Sequence, residues 1–528
     1  MSRLYEWHST ETNTFRFRNR LDEDIMRRLS GTDSLFLAAE TPSWHQHVGG
    51  LTILEPGESG LGYDDVVRLT RERMEYAPKF RWKLKQAPFG LDRPVWVDDP
   101  DFDVRHHVHR IGVPSPGGAR EVGEVAGLLL GAQLDRNRPL WEVWLIEGLA
   151  GGRVALLMKY HHCLLDGVAG AGLATAMLDV EPDATAPMVP KPSREESSAG
   201  DQGVLDVVGG LANRWVKGPA TYARYGFDVL SKAAAVLDGA RSGGSLASAI
   251  PRGPSTPFNA SIGVRRQLAF AGIAFDDIRR IKEAHGVKIN DVVLALCGTA
   301  LRTYLLAHDA LPDRSLVTGV PVSTRAEGDD TQDNQITTVF VELATHLDDP
   351  IQRLKTVSET AAGAKEMSKA MSAKQIQSLG EVAAPLILGT AIRAIYSTEL
   401  ISRMPLRINT LISNVPGPPL QLYMGGAKVT GIYPSSVILE GMGLNFTVLS
   451  NMERMDFGLH VDPNLVPDPW EIIDALDEAL AELLAASGLE GPTAVDDPFA
   501  ADEQPGGRGG ETQRPRPTAG RRTKSGVK

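Results

Sequence analysis

Residues 154–167 read VALLMKYHHCLLDG. Val154, Leu156, Met158 and Tyr160 alternate with Ala155, Leu157 and Lys159, a period of two that specifies a β-strand with two different faces. If the strand persists to its end, His162 continues the Val154–Tyr160 face and is directed into the interior, whereas His161 points the other way. Two neighbours on opposite faces do not share one job. An imidazole whose ordinary pKa is about 6.5 suits removal and return of a proton at neutral pH. Emerging from a strand end beside Asp166 and Gly167, His162 is the candidate general base, and His161 reads as a structural hydrogen-bond partner. Adjacent histidines on opposite faces do not chelate one ion, and no third ligand stands at a known spacing, so no metal site is expected. Cys163 is weighed as a nucleophile activated by its neighbour, but adjacent residues rarely reach that geometry and a buried core residue is the better reading.

Outward from this stretch, Trp141 to Ile146 also alternates, and Gly148-Leu149-Ala150-Gly151-Gly152 separates the two runs, which predicts a hairpin. Pro139, Leu140 and Trp141 stand just before it, either as core packing or as a pocket wall. Gly167 to Leu178 is small, Ala-rich and helical in spacing. Further on, a helix is predicted over Asn290 to Leu306, where N-capping alone explains Asn290 and Asp291. Strands are predicted at Leu316 to Val322, Ile408 to Ile412, Val437 to Val448 and Met455 to Val461. Ser413, Asn414 and Gly417 follow the second of these in a turn-forming context. The last helix opens with Asp468 as N-cap, Pro469 in the first turn and Glu471 closing a capping box, and its apolar stripe includes Ile472, Ile473, Leu476 and Leu480.

The pattern is α/β throughout, and 528 residues exceed one compact core. Composition shifts at Pro190 to Gly203, at Gly239 to Pro257 and after Gly491 divide the chain into residues 1–190, a linker with a helical segment at 191–257, a second domain at 258–490 and a disordered tail at 491–528. A net charge of -11 and the lack of a basic-aromatic motif in the body of the chain argue against a nucleic-acid partner. Two cysteines make no disulfide framework, which suits a reducing cytoplasm. The N-terminal stretch lacks an apolar signal region, and Val382 to Tyr396, the nearest approach to a membrane span, is short and interrupted by Pro385 and Arg393. The expected location is cytoplasmic, with peripheral contact to the inner membrane face or lipid droplets left open.

HHCLLDG at His161 to Gly167 fits the HHxxxDG signature of the acyl-CoA-dependent acyltransferase superfamily. More narrowly, the chain resembles the bacterial bifunctional wax ester synthase/diacylglycerol acyltransferase family. LSGTDSLFLAAE at Leu29 to Glu40, LDRNRPLWE at Leu134 to Glu142, NDVVLA at Asn290 to Ala295, PVSTR at Pro321 to Arg325, SNVPGP at Ser413 to Pro418 and DFGLHVD at Asp456 to Asp462 carry the resemblance. It implies two chloramphenicol-acetyltransferase-like domains, each a mixed sheet with flanking helices, and an active-site tunnel between them. It also implies acyl-CoA as co-substrate with no further cofactor, and diacylglycerol or a long-chain alcohol as acceptor. Carried over, His162 is the base, with His161 supporting it. Asp166 becomes a loop anchor paired with an arginine rather than a proton carrier, and Gly167 gives backbone room beside it. Asn290 and Asp291 are implied to shape the site or polarise the reacting carbonyl. Pro139, Leu140 and Trp141 are implied to line a substrate pocket. Arg325 is placed against a carboxylate or a CoA phosphate, and Ser413 and Asn414 are candidates for substrate contact.

Overall fold

The computed structural model describes residues 29–58, 60–86, 93–164, 177–183, 252–323, 336–370 and 408–499. Its strands are β1 (His47–Glu55), β2 (Trp82–Lys85), β3 (Val95–Asp98), β4 (Val108–Gly112), β5 (Trp141–Glu147) and β6 (Val154–His161), followed by β7 (Gln267–Ala274), β8 (Val317–Ser323), β9 (Ile336–Glu342), β10 (Thr410–Val415), β11 (Tyr423–Met424), β12 (Ala427–Ser435), β13 (Leu444–Asn451) and β14 (Arg454–Val461). The helices are α1 (Gly31–Ala39), α2 (Tyr63–Arg73), α3 (Ala119–Leu130), α4 (Phe275–His285), α5 (Ile289–Ala307), α6 (Pro350–Ala370) and α7 (Trp470–Ala486). Among the described residues these strands form two six-stranded sheets, in the orders β11-β12-β1-β6-β5-β4 and β7-β14-β13-β10-β8-β9, and β2 pairs with β3 alone. Both six-stranded sheets are mixed: β4 and β5 are parallel in the first, and β10 runs parallel to β8 and β13 in the second.

The period-two pattern of β6 has a direct physical outcome. Ala155 and Leu157 enter a large apolar core shared with α3, α5, α7 and the second sheet, while Val154 and Leu156 enter another with Phe80, Trp82 and Trp141. The expected hairpin forms, with Trp141 opposite Tyr160 and Ile146 opposite Ala155. Its connection needs left-handed backbone, which Gly148 adopts at φ 86°.

The expected division at residue 258 does not divide the sheets. Strands β11 and β12 lie far beyond it in sequence, yet β12 pairs with β1 from Gly49↔Ser435 to Glu55↔Lys428 and so completes the first sheet. On its other side β12 is joined to the second sheet by buried polar contacts. Asp456 accepts from the Ile432 N–H at 2.9 Å and from Asn451 Nδ2 at 3.0 Å, and Arg454 donates to the Tyr433 hydroxyl at 3.2 Å. Gly458 allows the close approach: a Cβ there would stand 1.9 Å from the Pro434 carbonyl oxygen.

Several elements differ from the sequence expectation. The strand expected at Val437 begins at Leu444, because Gly441 turns the chain at φ 82° and Leu439 bridges back to Met442. Ser413 and Asn414 lie inside β10, paired with Thr447 and Val448, rather than in a turn after it. Asp468 precedes the cap position of α7, which Pro469 occupies; its carboxylate accepts from the Trp470 N–H and from Arg120. Glu471 meets His308 rather than closing a capping box. The start of the expected tail is seated on the fold: Thr493 donates twice to Asp277, and Phe499 packs against Phe270. A buried carboxylate in want of donors outweighs the polar composition of this segment. Helix α5 is long and apolar enough by composition to cross a membrane, yet most of it is buried in the core. The helical segment expected in the linker, about Val204 to Leu237 within 191–257, and most of the one expected over Gly167 to Leu178 lie outside the described residues.

Gly458→Ala is expected to lower unfolding stability by about 2–3 kcal/mol, since the added methyl forces β12 away from β14. Urea unfolding followed by circular dichroism measures this. An unchanged midpoint would contradict the close packing of the two strands.

Candidate active site

The two motif histidines are fixed first by their backbone. At the end of β6 the His161 N–H donates to the Leu140 carbonyl at 3.0 Å. The chain then turns, the His162 N–H donates to the Gln46 carbonyl at 2.8 Å, and the Leu164 N–H closes on the His161 carbonyl at 2.9 Å. Leu140 precedes β5 and Gln46 precedes β1, so the strands on either side of β6 grip its end. Pro139, Leu140 and Trp141 are all buried. Trp141 donates its indole N–H to the Phe80 carbonyl at 2.7 Å and stacks on His107 with ring centroids 4.4 Å apart. This triplet packs the wall behind the strand end and supplies the carbonyl that holds His161.

The strand stops at His161, one residue earlier than needed to include His162, but the two rings still part. His162 is half-buried and stacks on Phe36 of α1, with centroids 4.1 Å apart and planes 13° apart. His161 is 1% exposed and turns to the other side. Its Nδ1 accepts from the Cys163 N–H at 3.1 Å, so in the neutral ring the proton sits on Nε2. That Nε2 faces Glu40 Oε2 at 3.8 Å.

Glu40 is the hub of a buried polar cluster. Its Oε1 lies 3.2 Å from His47 Nε2, and Arg136 binds Oε2 through both Nε, at 3.0 Å, and Nη2. Arg136 also donates to the Leu37 carbonyl at 3.0 Å, placing a cation at the C-terminal end of α1, where unsatisfied carbonyls favour one. Burial alone would raise the Glu40 pKa, but His47, His161 and Arg136 bring it down to about 2. Burial pushes His161 down to about 3 and His45 to about 4, and His47 is lowered for the same reason. At neutral pH these imidazoles are uncharged around one ionised carboxylate. Burial also raises the Cys163 thiol well above its ordinary range, so it is no thiolate nucleophile.

Asn290 and Asn414 come together in a separate polar pair, Asn414 Nδ2 donating to Asn290 Oδ1 at 3.5 Å. Asp291 is 4% exposed and engaged by the Lys288 N–H at 3.0 Å and the Ser358 hydroxyl at 2.8 Å. Its carboxylate secures the start of α5. Ser413 is half-buried on β10 beside Asn414. Asp166, Gly167 and Arg325 lie outside the described residues.

Sequence reasoning assigned no role to Phe36, Glu40, His47 or Arg136. Phe36 and Glu40 stand four apart, one helical turn, and so face the same side. That spacing was visible, but the partner lay about 120 residues downstream. His47 lies directly across from His161 in the β1–β6 register, a pairing local periodicity cannot supply.

His460 on β14 belongs to the same buried group: burial lowers it to about 3, with Arg266 next in effect, while its Nδ1 meets the Ser436 carbonyl at 2.6 Å. Unfolded imidazoles take up protons below pH 6.5, whereas folded His45, His161 and His460 resist until about 3–4. The unfolded state therefore binds more protons in this window, and stability falls as the pH is lowered through it. Glu40 adds a loss below pH 4.5, toward 2. Chemical denaturation between pH 7 and 5 is expected to show this decline, with the slope reduced by about one proton in His460→Asn. An unchanged slope would mean that His460 protonates freely in the folded chain.

Residues 29–293 match the model of the wax ester synthase/diacylglycerol acyltransferase catalytic domain, and residues 332–484 match the WS/DGAT C-terminal domain. The chain is 37% identical over 467 residues to the putative diacylglycerol O-acyltransferase Rv1760 of Mycobacterium tuberculosis, covering 88% of this chain and 91% of that protein. The wax ester synthase/diacylglycerol acyltransferase from Marinobacter aquaeolei VT8 superimposes with a TM-score of 0.64 at 30% identity, covering 88% of this chain and all (100%) of that one. The first condensation domain of the calcium-dependent antibiotic synthetase superimposes with a TM-score of 0.52 at 16% identity, covering 91% and 99%, a likeness of fold alone. The chain belongs to the wax ester synthase/diacylglycerol acyltransferase family.

Proposed function

We propose that this chain transfers a long-chain acyl group from acyl-CoA to diacylglycerol, forming triacylglycerol, with His162 as general base. The observation that carries the assignment of the base is the division between the two motif histidines. His161 is sealed in a buried cluster as a neutral ring, whereas His162 is half-buried at the turn with its backbone and ring plane both held. A base has to reach its substrate, and of the two motif imidazoles His162 is the more exposed.

In this mechanism His162 takes the proton of the acceptor hydroxyl as its oxygen bonds to the thioester carbonyl carbon. The tetrahedral oxyanion collapses, the carbon–sulfur bond breaks, and the CoA thiolate receives the proton back from His162. No acyl-enzyme forms, and acyl-CoA enters as co-substrate rather than as a resident cofactor. The Asn290–Asn414 pair, at the first turn of α5, is suited to shape the site or polarise the reacting carbonyl. Positive partial charge at the helix N-terminus favours that use. Asp166 is assigned to anchoring the loop and Arg325 to a carboxylate or a CoA phosphate.

Diacylglycerol is a lipid, which favours a cytoplasmic protein that works peripherally at the inner membrane face or on lipid droplets. A long-chain alcohol would react by the same steps and give a wax ester, and the Marinobacter relative's name includes both activities. The test is a competition: purified protein with radiolabelled acyl-CoA, offered diacylglycerol and hexadecanol together. Triacylglycerol is expected to dominate; a product mixture dominated by wax ester would reverse the choice of acceptor. His162→Ala is expected to lower ester formation by about 10²–10⁴-fold with the fold retained. A variant as active as the wild type would remove His162 from the chemistry. His161→Ala is expected to spare more of the activity per folded molecule while lowering the unfolding temperature.

A further inference from the structure

We infer that Phe36 is a positioning residue for the reaction, its ring setting the plane of the His162 imidazole. This rests on the reading of His162 as the general base. The backbone of His162 is fixed by its hydrogen bond to Gln46, and its ring lies against Phe36. The nearly parallel stack, with planes 13° apart and centroids separated by 4.1 Å, restricts the imidazole to orientations lying flat on the Phe36 ring. Catalytic groups tolerate misorientation of only about 10–20°, so such a restraint has consequences for rate.

The platform is itself held at both ends. Ser30 caps the first turn of α1 by accepting from the Asp33 N–H at 3.0 Å. At the other end Arg136 ties the Leu37 carbonyl to Glu40, and Gln133 donates to the Thr41 carbonyl at 3.1 Å. Helix α1 and its C-cap residue thus serve both histidines: the cap Glu40 faces His161, and Phe36, four residues earlier, faces His162. The stack also bears on the chemistry. When His162 holds the acceptor proton it is a cation lying on an aromatic face, an arrangement that favours the charged form. The benefit belongs to the step in which that charge develops, so removing the ring is expected to act on kcat rather than on KM.

The experiment compares Phe36→Leu, which keeps apolar bulk but loses the aromatic face, with Phe36→Tyr, which keeps that face, and runs His162→Ala in parallel. Phe36→Leu is expected to lower kcat about tenfold, the rate equivalent of one aromatic stack, with KM for acyl-CoA and for diacylglycerol unchanged within about twofold. Phe36→Tyr is expected to retain wild-type kcat within about threefold, and both variants to keep the wild-type circular dichroism spectrum. Full kcat in Phe36→Leu overturns the inference, as does a rise in KM with kcat intact, which would make Phe36 a wall of the substrate pocket. Equal loss in Leu and Tyr variants with a lowered unfolding temperature overturns it in favour of plain packing. If His162→Ala is inactive while Phe36→Leu is unimpaired, only the positioning role falls; if His162→Ala is active, the base assignment falls and this role with it.

Discussion

A carboxylate buried away from water has to be compensated, and the contacts of Glu40 show how much of the site that need organises. Arg136 neutralises it, His47 and His161 turn their Nε2 atoms toward it, and the end of α1 is held as a consequence. Four separate stretches of chain meet at this one group: α1, the start of β1, the loop before β5 and the end of β6. Removing the charge would leave the guanidinium without its partner and His161 without the acceptor that its proton faces. The catalytic motif is therefore not a self-sufficient heptapeptide. Its geometry comes from partners as far as about 120 residues away in sequence.

The same principle separates the two histidines. His161 ends β6 and His162 opens the turn after it, so one imidazole enters the closed cluster and the other the half-open side beside Phe36. Burial keeps His161 neutral and its tautomer is set by Cys163. On the proposed mechanism the chemistry then rests on His162, whose backbone is fixed by Gln46 and whose ring lies on Phe36. The second sheet contributes at a distance: β12 knits the sheets together, and β10 and α5 bring Asn414 and Asn290 into contact.

Much of this was legible in the sequence where a feature is local. Alternation located β5 and β6 and the hairpin between them, although β6 ends at His161 and His162 lies in the turn that follows. The apolar run after Asn290 gave α5 to within a residue at either end. Features made by distant partners were not legible. No local pattern reveals that β12 leaves its own stretch of chain to pair with β1, because its burial pattern suits either sheet. Ser413 and Asn414 looked like turn residues because their propensity is for turns, yet parallel pairing with β13 holds them in a strand. Residues 491–499 looked disordered from composition, which cannot register that one buried aspartate and one aromatic pocket await them. Glu40 and Arg136 stood within quoted motifs, but only the fold shows that they meet.

The division of labour between the histidines is most directly measured by imidazole-specific modification with diethylpyrocarbonate, mapped residue by residue by mass spectrometry and followed alongside activity. Loss of acyl transfer is expected to track modification of His162 one for one and to be prevented by saturating acyl-CoA, with His161 unmodified while the protein stays folded. Inactivation that tracks another histidine, or that proceeds with His162 untouched, would contradict its role as the base.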